Sequence, residues 1–391
     1  MYLTRLALTD FRCYASADVR LEPGVTTFTG ANGQGKTNLV EAACYAATFA
    51  SHRVAADAPL IRRGADRAII RAAITGGGRD NLVEIEVNPG RANRVRLNRA
   101  PVPRPREVLG VLRCVLFAPE DLAIVKGDPD QRRRYLDDLL VATRPRYAGV
   151  RSDYERVVRQ RTALLKSARA RGGGVPRGLE VWDDQLVAAG VELTAGRLEL
   201  VQAIRPLVAR AYSAVSGAAG DTGLRYRQVF RSDDEPEPER EKLANDMRAA
   251  LADSRRAELD RAVCLVGPHR DELELSIGGL PARGYASHGE SWSMALALRL
   301  AAFEVQRADG EDPVLILDDV FAELDVGRRG RLAELVAGAD QVLVTAAVGA
   351  DVPTELSGRR FSVADGVISG LTDGDIDGDI DEDIDGVSTG E

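Results

Sequence analysis

Apolar and polar positions follow two different periods along this chain. Near its start, residues 2–8, 16–21 and 25–29 read as short strands. Further strands are expected at Arg67–Ile74, Asn81–Val87, Arg94–Leu97 and Val111–Phe117, set apart by turn residues such as Gly76-Gly77-Gly78 and Asn88-Pro89-Gly90. One helix, from Thr37 to Ala50, interrupts this β-rich third. From Pro129 to about Gly217 the period becomes helical: Tyr154, Val157, Val158, Arg161, Leu164 and Leu165 follow i, i+3, i+4 spacing, and Leu186 through Val208 forms a second amphipathic run. Gly172-Gly173-Gly174-Val175-Pro176 separates the two, which predicts a helical hairpin. A strand over Leu224–Phe230, an exposed loop over Asp233–Glu239 and a helix from about Arg240 to Leu259 come next. Leu273–Ile277, Pro313–Leu317 and Gln341–Thr345 then read as strands, with helices at Ser291–Arg307 and Arg328–Ala337. The final twenty residues have the composition of disordered chain.

Two of these strands end in candidate chemistry. Val25–Thr29 runs into Gly30-Ala31-Asn32-Gly33-Gln34-Gly35-Lys36-Thr37, which fits the phosphate-loop pattern G-x-x-x-x-G-K-[ST] in its required setting of strand, glycine loop and helix. The glycines allow a tight curl with inward N–H groups, and the new helix adds its positive end, so the loop forms a cage for phosphate oxygens. Lys36 is expected to reach the β- and γ-phosphates, and Thr37 to hold Mg²⁺ through its hydroxyl. A chance glycine turn before a helix is the plainer reading, and the complete pattern in context argues against it. The second strand, Pro313-Val314-Leu315-Ile316-Leu317, ends in Asp318-Asp319. We assign Asp318 to Mg²⁺, directly or through water, and Asp319 to orienting the attacking water. Acids are common at strand exits, so this assignment draws its strength from the loop. Asp318 lies so far along the chain from Lys36 that the helical stretch reads as an insertion between two halves of one head.

At 391 residues, two or three structural units are expected. No apolar run approaches the roughly 18 residues that a membrane span needs, and Met1-Tyr2-Leu3-Thr4-Arg5-Leu6 leads into Asp10 and Arg12 rather than an export signal, so a cytoplasmic protein is expected. Cys13, Cys44, Cys114 and Cys264 are too dispersed for paired metal ligands. Charge changes the picture more. The net −8 is concentrated at one end, because residues 372–391 hold nine acids and no base, whereas Gln131 to Arg171 carries twelve Lys or Arg against four Asp or Glu. A near-neutral body with one basic stretch can bind a polyanion. Arg132, Arg133, Arg151, Arg159 and Arg161 are the expected contacts to such a polyanion, mostly to phosphates; the competing reading makes them a solvated or ion-paired helix face.

Upstream of Asp318, Ser287-His288-Gly289-Glu290 opens a helix and offers a second anion-binding N-terminus, which suggests that it caps a nucleotide held by another copy of the chain. This turn looks like the signature motif of ABC-type ATPases, and Ala322-Glu323-Leu324-Asp325 looks like their D-loop. Pro119-Glu120-Asp121, Ile124-Val125-Lys126-Gly127-Asp128-Pro129 and Arg132-Arg133-Arg134-Tyr135-Leu136-Asp137 closely resemble a segment of the RecF family of bacterial recombination proteins. Leu315 through Asp325 matches a second characteristic segment, and with Phe11-Arg12 and the phosphate loop the resemblance runs from residue 1 to about 370.

The resemblance implies an α/β fold: an ABC-type ATPase head, with a P-loop sheet and an antiparallel β subdomain, plus an inserted helical lobe. Its expected divisions are 1–118 and 256–370 for the two parts of the head, 119–255 for the helical lobe with its basic hairpin, and 371–391 for a disordered acidic tail. It further implies ATP and Mg²⁺ as cofactors, an ATP-dependent homodimer on duplex or gapped DNA, no membrane, and a place in gap repair with RecO and RecR. Carried over by residue, Gly30, Ala31, Asn32, Gly33, Gln34, Gly35, Lys36 and Thr37 bind nucleotide and Asp318 serves the metal. Asp319, with Lys36, is catalytic, Ser287, Gly289 and Glu290 act across the dimer, and Asp325 lines the interface.

Four positions depart from the wider pattern. Asp319 stands where most ABC ATPases have Glu, which suggests slow turnover; His288 and Glu290 stand where RecF proteins often have Gln; and Thr345 replaces a switch histidine. Arg12 and His52-Arg53 are expected either to touch nucleotide or to form structural salt bridges. Three other classes remain in view. An SMC-like repair ATPase would carry a far longer coil, a transporter ATPase subunit an apolar docking face and the histidine, and a small-molecule kinase no use for the signature turn.

Overall fold

The computed structural model describes residues 1–371 except 173, 218–220, 230–236 and 308–309. The acidic tail beyond 371 and most of the expected Asp233–Glu239 loop lie outside the described residues.

The N-terminal third builds an antiparallel sheet. β1 (Tyr2–Phe11) and β2 (Tyr14–Arg20) pair with each other, β3 (Gly24–Thr29) leaves for a second sheet, and after helix α1 (Lys36–Thr48) the chain returns as β4 (Ala68–Gly76), β5 (Arg79–Val87), β6 (Arg94–Leu97) and β7 (Ala100–Val102). The order is β2-β1-β4-β5-β6-β7. Alternation decides which face is covered: Leu6, Leu8, Ile70, Ala72, Val83 and Ile85 are buried, while Arg71 pairs with Glu84 at 3.2 Å and Arg94 with Glu86 at 3.7 Å on the wet face.

The second sheet draws on both ends of the chain. Its order is β15-β14-β3-β13-β12-β8, from β8 (Cys114–Phe117), β12 (Val314–Asp318), β13 (Gln341–Ala346), β14 (Arg359–Ala364) and β15 (Val367–Leu371), and every neighbouring pair is parallel except β14 with β15. The expected strand at Val111–Phe117 is thus confined to its last four residues, and β14 and β15 were not anticipated. The apolar run of β12 is buried throughout because it serves two cores. Leu315 and Leu317 pack with the helical part of the molecule, whereas Val314 and Ile316 pack with α1 and the antiparallel sheet. Helix α1 is wedged between the two sheets and is buried continuously from Leu39 to Ala47. The first turn of α1, where the phosphate loop ends, is therefore fixed from both sides.

The helical insertion follows β8: α2 (Leu122–Lys126), α3 (Pro129–Thr143), α4 (Tyr147–Ala170), α5 (Leu179–Ser216), then β9 (Thr222–Arg227) and α6 (Arg240–Arg261). α4 and α5 pack together as the expected hairpin, with Tyr154, Val157, Arg161 and Leu165 on the buried face of α4. β9 pairs with β10 (Glu272–Ile277), which also holds the short β11 (Leu280–Pro281), so strands from the insertion and from the C-terminal half share a small sheet. After α7 (Ala282–Tyr285), helix α8 (His288–Arg307) lies along α5, and α9 (Val326–Val336) follows β12. No described helix is long and apolar enough to cross a membrane.

A buried polar network ties insertion to head. Arg197 on α5 grips Asp137 of α3 at 2.7 and 2.9 Å and donates to the Pro268 carbonyl at 2.7 Å; Tyr226 donates to Asp271 at 2.8 Å; and Tyr154 meets His269 Nδ1 at 2.6 Å. Burial drives the two titratable ends in opposite senses, His269 down to about 4 and Asp271 up to about 6. The depressed histidine contributes stability that is present above its ordinary 6.5 and is lost as pH falls towards 4. The raised carboxyl contributes stability that is present below its ordinary 3.8 and is lost as pH rises through 6. His269→Gln, which keeps an acceptor for Tyr154 but cannot charge, should therefore lose less melting temperature than the parent between pH 7 and pH 5. Equal losses would remove His269 as the acid-labile group.

Candidate nucleotide-binding and hydrolysis site

The phosphate loop closes the gap between β3 and α1 with backbone that only glycine adopts comfortably. Gly35 has φ +115°, and a Cβ there would stand 2.7 Å from Cys13 Sγ and 2.9 Å from the Tyr14 hydroxyl; Gly30 has φ +151° and lies against the carbonyl of Val363. The loop is also pinned from outside. Tyr14 donates to the Gly35 carbonyl at 2.9 Å, and in the β14–β15 turn the Asp365 N–H reaches Gln34 Oε1 at 2.5 Å while the Gly366 N–H reaches the Gln34 carbonyl at 3.3 Å. Asp365 and Gly366 both have positive φ, as a two-residue type I′ hairpin requires. Asp-Gly between two apolar runs is the sequence signal that locates this hairpin, the element that supports Gln34.

Lys36 is 3% exposed, and its ammonium is held by the carbonyls of Gly30 at 2.6 Å and Ala31 at 3.1 Å. It thus lies over the mouth of the loop, where phosphate oxygens can replace the two carbonyls as acceptors. Thr37 Oγ1 donates to Asp318 Oδ1 at 3.0 Å, which joins the loop to the end of β12. Thr345, at the same level of the neighbouring β13, donates to the same oxygen at 2.6 Å, and its Oγ1 accepts the Asp319 N–H at 3.0 Å. In place of a titrating imidazole, the chain uses a hydroxyl that fixes both carboxylate residues. Burial pushes Asp318 up to about 6, with the charges of Asp319 and Glu120 adding to the rise, and Thr345 and Thr37 oppose it. Asp319 is half-buried, with a pKa raised by burial and lowered by Lys36.

Thr37 and Asp318 together fit a magnesium ion. They offer one hydroxyl and one carboxylate to a cation that usually completes its octahedron with phosphate oxygens and water, and no cluster of three or more His, Cys, Asp or Glu among the described residues offers a rival all-protein cage. Arg12 grips Glu41 of α1 at 2.8 and 2.6 Å, and Arg53 donates to Asn38 at 3.0 Å, so both make intramolecular contacts on the flank of α1. His52 was expected beside them, and both its ring nitrogens are enclosed without a hydrogen-bond partner.

The signature turn forms a reciprocal capping box at the start of α8. Glu290 accepts the Ser287 N–H at 2.8 Å and Ser287 Oγ accepts the Glu290 N–H at 3.3 Å. The carboxylate at position 290 is thereby explained as a helix cap, and its pKa is lowered by the bonds with Ser287. Asp325 caps α9 in the same manner, accepting the Arg328 N–H at 2.9 Å.

Two of the arginines expected on DNA are internal. Arg132 is 4% exposed, forked onto Glu272 at 2.7 and 3.1 Å and bonded to the carbonyls of Ile124 and Gly127; Arg161 is fully buried between Asp183 at 2.7 Å and Glu258 at 2.5 Å. Neither can reach a phosphate without dismantling a buried ion pair, so both assignments are corrected. Arg133 is half-buried and donates to the Asp271 carbonyl, and Arg151 pairs with Asp138 at 2.8 Å and Glu155 at 3.1 Å. Arg159, 69% exposed with Glu155 at 3.8 Å, is the one of the five that faces mostly solvent.

With this geometry in hand, comparison with known proteins places the chain. The family described as RecF/RecN/SMC N terminal domain matches residues 2–352. A "DNA replication and repair protein RecF" of Frankia alni is 61% identical over 374 residues, covering 94% of this chain and 99% of the relative; that of Streptomyces avermitilis is 57% identical over 373 residues with the same coverage. The solved structure of the recombination mediator protein RecF with ATP in the RecFOR pathway is similar, with TM-score 0.86 and 27% identity over 95% of this chain and 98% of that one. An Smc head bound to the C-terminal winged-helix domain of ScpA shares the fold, with TM-score 0.54 and 17% identity over 95% of this chain and 97% of that one.

Proposed function

This chain belongs to the RecF family of DNA replication and repair proteins, and from that premise we propose that it works as an ATP-controlled switch on DNA during recombinational gap repair. It is an ATP-binding ATPase of the ABC/SMC-like kind. The proposal extends this in four respects: Mg²⁺ is the cofactor, turnover is slow and stimulated by DNA, ATP joins two copies head to head, and the closed dimer grips duplex DNA near gaps and junctions. RecO and RecR are the partners that the RecFOR pathway supplies, with the nucleoid as the place of action. Our division of the chain at 118, 255 and 370 belongs to the same reading.

The observation that carries it is the hydrogen bond from Thr37 to Asp318, with Thr345 on the same oxygen and on Asp319 N. Loop, candidate metal-binding carboxylate and candidate base thereby stand together at the carboxyl ends of the parallel strands β3 and β12, which β13 separates, where α/β sheets place their ligands. Bound Mg²⁺ would neutralise charge on the phosphates. The chain's own residues bind the phosphates through loop N–H groups and Lys36, orient the carboxylates through Thr345, and place Asp319 to align a water and take its proton. Ser287, Gly289 and Glu290 make no hydrogen bond or ion pair with residues 30–37 among the described residues, which supports a role towards a second copy.

Light scattering tests the reading. Asp319→Asn with ATP and Mg²⁺ should give twice the monomer mass and retain a gapped duplex, and should give the monomer mass with ADP. A monomer in every state would sink the head-to-head switch.

A further inference from the structure

Arg328 stands where two elements of the proposed interface meet. It lies in the first turn of α9, three residues after Asp325. Its Nε donates to Ser293 Oγ on α8 at 3.0 Å, a second nitrogen pairs with the Asp325 carboxylate, and its backbone N–H bonds the other Asp325 oxygen at 2.9 Å. Ser293 is fully buried and lies one helical turn beyond Gly289 on the same face of α8.

The guanidinium also occupies the space a side chain at 289 would need. A Cβ built on Gly289 would fall 2.8 Å from one Arg328 nitrogen and 3.1 Å from its central carbon and the other terminal nitrogen, although the Gly289 backbone has no positive φ that would itself call for glycine. Space for Arg328, rather than conformation, is what this glycine provides. Arg331 on the next turn of α9 donates to the Val215 carbonyl at 2.8 Å and so anchors the helix to the end of α5.

We propose that Arg328 is a positioning residue that fixes the Asp325 loop and the Ser287–Glu290 turn in one geometry, so that each protomer presents both to its partner's nucleotide as a single preformed surface. A surface ordered in advance loses less conformational freedom on association than two turns that must be aligned at that moment. The inference rests on the ATP-dependent dimer put forward above.

The experiment measures the dimer dissociation constant with ATP and Mg²⁺ in the Asp319→Asn full-length chain, alongside monomer affinity for a fluorescent ATP analogue and melting temperature. If that parent stays monomeric, the dimer reading fails before Arg328 is tested. If it dimerises, adding Arg328→Ala should weaken the dimer at least tenfold while analogue affinity stays within about twofold. Gly289→Ala should also weaken it, because its methyl displaces the guanidinium, and the penalty of Gly289→Ala should shrink when Arg328→Ala is already present. Arg328→Lys, which keeps the charge but lacks the fork, should fall between parent and alanine, and it stands in if the alanine variant fails to fold. A dimer as tight as the parent's in either Arg328 variant, or a Gly289→Ala penalty that persists undiminished without Arg328, overturns the proposal.

Discussion

Replacing Asp319 with asparagine is expected to lower ATP turnover at least about a hundredfold, within the range typical of a lost general base, while ATP affinity changes by no more than a few fold. The backbone makes this a clean substitution. Asp319 has φ 52° and its N–H is held by Thr345 Oγ1 and the Thr345 carbonyl. Asparagine tolerates that left-handed conformation about as well as aspartate, so the variant removes a charge and an acceptor for the water's proton without disturbing the strand end. Glutamate, the commoner residue at this place in ABC ATPases, is less at ease with positive φ, so Asp319→Glu should reach further but strain the turn. It is expected to fall short of wild-type turnover. Phosphate release under saturating ATP gives the rate, and analogue titration gives the affinity. A loss below tenfold in the asparagine variant would move the base elsewhere, with Glu120 the next carboxylate to try, because it lies three residues beyond the end of the neighbouring strand β8 and its charge is felt at Asp318.

The candidate nucleotide site is legible in the sequence because its parts are written locally. A strand, a glycine loop and a helix are contiguous from Val25 to Thr48, and β12 announces itself as an apolar run ending in acids. Thr345 could be found near the end of the next strand, but its two hydrogen bonds, to the Asp318 carboxylate and from the Asp319 N–H, depend on parallel register, which pairs Asp318 with Thr345 and which no sequence window contains. The β14–β15 hairpin is hard to read from the sequence despite Asp365-Gly366, because its strands are short and β15 carries Ser369 and Gly370.

Two arginines of the basic stretch were placed on the surface for a different reason. A count over Gln131–Arg171 weighs arginines only against acids inside the window, whereas their partners come from outside it: Glu272 for Arg132, and Asp183 and Glu258 for Arg161. Local net charge describes a surface only when the charges are on the surface. Arg161 even sat at a core position of the α4 periodicity beside Tyr154, Val157 and Leu165, and that was the cue to read it as buried.

Arg161→Ala should therefore act on stability rather than on DNA. The guanidinium is fully buried, donates to Asp183 and Glu258, and reaches Cys264 Sγ at 3.3 Å; the two carboxylates raise its pKa further still. Among the described residues, truncation leaves Glu258 fully buried with only the Leu265 N–H at 2.8 Å, and Asp183 with only Arg255. Breaking a buried pair in this way typically costs about 3–5 kcal/mol, and the loss should be concentrated where α4, α5 and α6 meet. Trp182 lies beside Asp183, so in a Trp292→Phe background its fluorescence reports that junction, and its thermal transition should fall well below that of the parent while the phosphate loop still binds nucleotide at low temperature. Arg159→Ala is the counterpart: exposed and weakly paired, it should leave the transition in place and weaken DNA binding modestly, more so at low salt. If Arg161→Ala melted like the parent and lost DNA, the buried pair would not be the role of Arg161, and the charge count over 131–171 would have been the better guide.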